Sequence, residues 1–125
     1  MRDIENQDDL YQLVETFYQR LLSDPAIAYI FTDVVKIHLE EHLPILVTFW
    51  SQAILGTGGY TRNLTQLHVD VSAKERLTPA LFQIWLGHFN ASVDFLFKGP
   101  KAEQIKTQAL SIATIMQIKI AAQEK

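Results

Sequence analysis

The chain of 125 residues contains no cysteine. Disulfides, thiolate nucleophiles and cysteine-held zinc or iron–sulfur centres are thereby excluded. Glycine and proline are scarce, at five and four, which is unlike a disordered or low-complexity chain. No apolar run approaches the length of about 18 residues that a membrane helix needs, so no membrane partner is expected. Basic residues do not outnumber acidic ones: 11 against 14, for a net charge of −3. The charges are mixed along the chain, with no basic patch to follow a phosphate backbone, so no nucleic acid partner is expected. The opening MRDIENQDDL is polar and acidic, unlike a secretory leader. A soluble, cytoplasmic protein is the expectation. Several catalytic signatures are also missing: a G-x-S-x-G elbow, a phosphate-binding glycine loop, a dinucleotide fingerprint and an H-E-x-x-H pair. The G-x-G-G at 56–59 follows a helical pattern rather than a strand and reads as a turn.

The chain does carry helical periodicity. Hydrophobic residues make up 48 % of it, enough for the core of one domain, 1–125. Leu10, Leu13, Val14, Phe17, Tyr18, Leu21 and Leu22 recur at three- and four-residue steps, predicting a helix over Glu5 to Leu22 with an acidic start near Asn6 or Gln7. Ser23-Asp24-Pro25 breaks it, and a short helical piece from Ala26 to Phe31 follows. Leu39, Leu43, Leu46, Phe49, Trp50 and Ala53 stripe a second long segment, Val35 to Leu55. Pro44 interrupts this segment and is expected to start or kink a helix there. Tyr60 to Thr78 is weakly patterned. Thr78 and Pro79 read as the cap and first turn of a third helix reaching about Phe97. Gly99-Pro100 ends it, and Lys101 to Ala122 forms a fourth. The chain is therefore expected to be all-α.

Few residues carry recognisable chemistry. His68 lies in the weakly patterned stretch between Leu67 and Val69. It is either a satisfied, partly buried imidazole or an axial metal ligand, for which neutral imidazole is well suited. His38, His42 and His88 are well spread in the chain, which argues against a compact zinc site. His42 either gates a pocket or is solvated near a helix start; His38 and His88 read as surface or incidental packing residues. Tyr18 is a core tyrosine whose hydroxyl reaches the surface, or a donor aimed at a polar ligand in a dry pocket. Trp85 is packing, or packing plus one indole N–H donor. Phe31, Phe49, Trp50 and Phe82 are core residues or the walls of a flat ligand.

Six stretches occur in a telling order: FYQRLLSDP at Phe17 to Pro25, Ile30-Phe31, EHLPILVTFW at Glu41 to Trp50, LGTGGY at Leu55 to Tyr60, LHVD at Leu67 to Asp70 and LTPALFQIWLGHF at Leu77 to Phe89. Together they resemble the truncated haemoglobins, and within them the third, bacterial group, over roughly residues 7 to 120. The resemblance implies a truncated two-over-two helical globin-like sandwich holding haem b (iron protoporphyrin IX). It implies His68 as the proximal iron ligand, Tyr18 as the distal hydroxyl donor, Trp85 as the distal indole donor and His42 as the distal histidine. Phe31 would pack against the haem, Leu46, Phe49 and Trp50 would line the pocket, and Arg76, with Arg62 and Lys74, would meet the propionates.

Two departures stand out. Pro44 follows His42 by two positions and is expected to shift the helix start and turn His42 from the iron. VSAKER, at Val71 to Arg76, lengthens the stretch between His68 and Trp85. The implied activity is reversible binding of O2 and other diatomic ligands, with NO or peroxide detoxification equally permitted and enzymatic status left open. Oxygen transport belongs to the same reading. The implied partners are O2, NO, CO or peroxide and an electron-donor reductase, with the chain a monomer or weak dimer. The competing reading is a haem-free helical sensor or protein-binding module on the same fold.

Overall fold

The computed structural model describes residues 1–34, 38–56 and 77–123, and among them every regular element is helical. Helix α1, Gln7–Leu22, starts where Asn6 leaves the helical region and accepts a hydrogen bond from the Asp9 N–H. The side chain of Asn6 thus satisfies one of the donors that every helix start leaves open, and the helix begins two residues later than the periodicity predicts. Helix α2, Pro25–Tyr29, is capped by Asp24 and continues into a π-helical turn, Ile30–Val34. Helix α3 covers Leu39–Trp50 and likewise runs into a π-helical turn, Ser51–Leu55. Gly56 closes that turn with φ +73, a backbone region in which glycine pays no Cβ penalty. Helix α4, Pro79–Leu96, has Thr78 as its cap and Pro79 in its first turn, as expected. Helix α5 is Pro100–Gln123.

Of the two outcomes expected at Pro44, a helix start or a kink, the structure overturns the first. Helix α3 begins at Leu39, with the N–H groups of Glu41 and His42 bonded to the His38 carbonyl. The proline therefore sits inside the helix and does not start it. Its position explains why it is tolerated. A proline removes one N–H near the helix start, and the carbonyl left without a donor belongs to Glu40, which is exposed to water.

The long helices pack as two pairs, α1 with α3 and α4 with α5, and α1 also packs along α4. This is the expected two-over-two arrangement. Of the predicted stripe of α1, Leu10, Leu13, Val14, Phe17, Tyr18 and Leu21 are buried, and Leu22 is partly covered. In α5 the buried face is Ile105, Ala109, Ala113, Met116 and Ile120. In α3 the stripe divides. Leu43, Val47 and Trp50 are buried, whereas Leu39, Leu46 and Phe49 are only partly covered. At the centre, Phe89 of α4 stacks on Trp50 at 5.3 Å and on Trp85 at 5.8 Å, and Phe17 of α1 meets it edge-on at 5.2 Å. Such aromatic pairs add about 0.5–1.5 kcal/mol each beyond simple burial.

The N-terminal residues are sewn into this frame. The Asp3 carboxylate accepts from the N–H groups of Lys101 and Ala102, both at 2.9 Å, and so caps α5 from the far end of the chain. The carbonyl of Arg2 accepts from Lys98 N–H, its guanidinium pairs with Asp9 and lies over the Phe97 ring, and Ile4 is buried.

Candidate functional site

The site begins with Tyr18. Its place on the buried face of α1, beside Phe17, leaves the side chain 5 % exposed. Its hydroxyl oxygen is 2.8 Å from Nε2 of His42. Burial raises the phenol well above its ordinary ionisation range, so the hydroxyl keeps its proton at any physiological pH. The imidazole tautomer decides the direction of the bond. With Nε2 bare, Tyr18 donates to His42. With Nε2 protonated, His42 donates to the Tyr18 oxygen and the phenolic proton can serve another acceptor.

Three rings frame the Tyr18 phenol edge-on. Phe17 lies at 5.4 Å, Phe31 at 5.5 Å and His42 at 5.3 Å. Phe31 arrives on the π-helical turn that follows α2. His42 arrives on the second turn of α3, so the proline two residues on does not turn it away from Tyr18. Leu46 and Phe49 follow His42 at spacings of four and seven, which places the three on one helical face. Leu46, Phe49 and Phe31 are partly buried, as is Trp85, whose ring meets Phe17 edge-on at 5.6 Å. Trp50 behaves differently: it is buried in the core against Phe89 and touches the site through Phe49, 4.9 Å away.

The structure thus brings together Tyr18, His42 and Phe31, with Leu46 and Phe49 on the same wall and Trp85 reached through Phe17. A buried hydroxyl beside an imidazole, bordered by partly covered apolar side chains, fits a flat apolar group that carries one polar ligand. No cluster of three or more His, Cys, Asp or Glu suited to hold a bare metal ion exists among the described residues. His68 and Arg76, with Arg62 and Lys74, lie outside the described residues.

His88, expected at the surface or in incidental packing, is paired through Nε2 with the Asp24 carboxylate at 2.7 Å. The two are 64 positions apart, and nothing local to either residue signals the contact. No described helix is long and apolar enough to cross a membrane.

Comparison with known proteins agrees with this geometry. No family model matches the chain. The chain is 27 % identical over 115 residues to the group 3 truncated hemoglobin ctb of Campylobacter jejuni, covering 90 % of this chain and 88 % of the relative. The crystal structure of a group III truncated hemoglobin from Campylobacter jejuni superposes with a TM-score of 0.85 at 25 % identity, covering 96 % of this chain and 95 % of that one.

Proposed function

Starting from a chain that is a homologue of a group III truncated hemoglobin along nearly its whole length, we propose that it holds haem b and reversibly binds O2 on the side that Tyr18 faces. The observation that carries this reading is the buried Tyr18 hydroxyl set 2.8 Å from His42, at an otherwise apolar wall.

When bound, the haem would supply an iron with one coordination position open to a diatomic ligand. The protein's own contribution is to hold the group and to polarise that ligand. His68 is the residue that would hold the iron, and Arg76 the one that would meet the propionates. Phe31, Leu46 and Phe49 provide apolar contact, and Trp50 backs Phe49. The Tyr18 hydroxyl, kept protonated by burial, would donate to the ligand, with the Trp85 indole N–H as the proposed second donor. His42 fixes the Tyr18 rotor when its Nε2 accepts, and frees the phenolic proton when its Nε2 donates. The same pocket would admit NO and CO, and its donors would suit NO or peroxide detoxification were a reductase to supply electrons. A cytoplasmic monomer or weak dimer fits this role.

The test is the ultraviolet–visible spectrum of the purified chain after haem addition, in ferric, ferrous and CO-bound forms, beside His68→Ala. Stoichiometric uptake, with a histidine-type ferrous–CO spectrum lost in His68→Ala, is the expected result. A folded chain that takes up no haem would reject the reading in favour of a haem-free module.

A further inference from the structure

Helix α2 is too short to place itself. It has five residues, whereas isolated helices below roughly 12–15 residues are marginal in water. Its position therefore comes from what it touches. Ile27 and, just beyond the helix, Ile30 are buried. Its polar anchor is Asp24, and that carboxylate has two partners. One oxygen accepts from the Ala26 N–H at 3.0 Å and caps the helix. The other meets Nε2 of His88 at 2.7 Å. The His88 contact first, and the Ala26 N–H second, hold the Asp24 carboxyl below its ordinary range. The two side chains are 21 % and 29 % exposed, so water competes for them less than for a surface pair.

The consequences lie at the other end of α2. The helix runs without a break into the π-helical turn that carries Phe31, and Phe31 is a ring neighbour of Tyr18. His88 in turn lies on α4, one turn beyond Trp85 and next to Phe89. The Asp24–His88 bond therefore fixes the segment bearing Phe31 to the helix bearing Trp85.

We infer that Asp24 and His88 are a positioning pair for the Tyr18 hydroxyl: they hold α2, and through it Phe31, so that the phenol keeps its register with His42. The effect on bound ligand rests on the haem reading above; the effect on the Tyr18–His42 bond does not.

The experiment uses the full chain, before and after haem addition. His88→Leu removes the partner of Asp24 and leaves the α2 cap in place. Should that variant fail to fold, Asp24→Ser retains a capping hydroxyl but cannot reach His88. His88→Gln restores a side-chain N–H of similar reach. The primary readouts, taken without haem, are the nitrogen NMR shift of the His42 imidazole and hydrogen exchange of the Tyr18 hydroxyl. In His88→Leu the His42 signal should move and the hydroxyl exchange roughly tenfold faster, the scale of one hydrogen bond lost, and His88→Gln should bring both back toward wild type. In the haem-loaded chain, O2 dissociation should quicken in His88→Leu and recover in His88→Gln. If His88→Leu lowers the unfolding midpoint but leaves the His42 and Tyr18 signals unchanged, the pair is a structural tie only and the inference is overturned. A change in O2 dissociation without movement of those signals overturns it as well. A chain that takes up no haem removes only the O2 comparison and counts against the haem reading, while the NMR comparison still decides the positioning role.

Discussion

Tyr18 combines burial with a hydroxyl whose partner comes from another helix. Of these two properties, burial was legible in the sequence and the partner was not. The three- and four-residue spacing from Leu10 to Leu22 puts Tyr18 on the apolar face of α1 with no information from elsewhere. The bond to His42 joins residues 24 positions apart, and the local signal there was misleading. Pro44 suggested a helix start that would turn His42 away, whereas α3 begins at Leu39. Proline is tolerated so near a helix start because the bond it removes leaves only a water-exposed carbonyl unpaired. The Tyr18 hydroxyl matters chemically because it stays protonated. Removing it in Tyr18→Phe keeps the ring and its edge contacts while deleting the donor. A hydrogen bond to a charged or strongly polarised acceptor contributes about 1.5–3 kcal/mol, so the O2 dissociation rate of the haem-loaded variant should rise by roughly ten- to a hundredfold. An unchanged rate in stopped-flow displacement would remove Tyr18 from the role proposed for it.

Elements in this protein are often held by residues far from them in sequence. The start of α5 shows why such ties are hard to foresee. Lys98 and Gly99, which precede Pro100, offer no side-chain acceptor for the open N–H groups of the helix, and the acceptor is Asp3 instead. Gly99-Pro100 was readable as a break, but not as the docking point of the N-terminus. The glycine has a specific reason. Its φ is +146, and a Cβ placed there would lie 2.6 Å from Cγ of Asp3. Gly99→Ala should therefore combine backbone strain of about 1–3 kcal/mol with displacement of the Asp3 cap. Asp3→Ala alone should cost about 1 kcal/mol, as for other lost helix caps. Urea denaturation checks both, and because the two changes act on one contact, the double variant should cost less than their sum. Strict additivity would mean that Gly99 and Asp3 act independently.

At the scale of the whole molecule, the all-α architecture was readable because four amphipathic periods of adequate length leave few ways to pack. The two π-helical turns were not, since each continues a helix with a residue pattern that 3.6-residue periodicity also fits. The core that results is centred on one ring. Phe89 is fully buried and touches Phe17, Trp50 and Trp85, so Phe89→Ala should cost about 3–5 kcal/mol, read from the urea midpoint.

The outer ties respond to acid. Asp9 is held below its ordinary value chiefly by the Arg2 guanidinium, against the opposing effect of burial. At Asp3 burial pushes the carboxyl up, but the N–H groups of Lys101, Ala102 and Ile4, together with the Lys101 charge, outweigh it and the net shift is downward. Asp24 is lowered by His88 and Ala26. In each case the folded chain binds a proton more weakly than the unfolded chain, whose carboxyls titrate near 3.8. Stability from these groups is therefore fully present above that value and is lost as pH falls through the lower folded values. With haem content held constant, the contribution of these three groups should leave the urea midpoint level above about pH 5 and lower it progressively below about pH 4. Asp9→Asn should be less stable than wild type at pH 7 but should lose less on acidification, so the two curves converge. Curves that stay parallel down to pH 3 would show that the Arg2–Asp9 tie plays no part in the acid response, and that the N-terminal segment is held by Ile4 and the Asp3 cap alone.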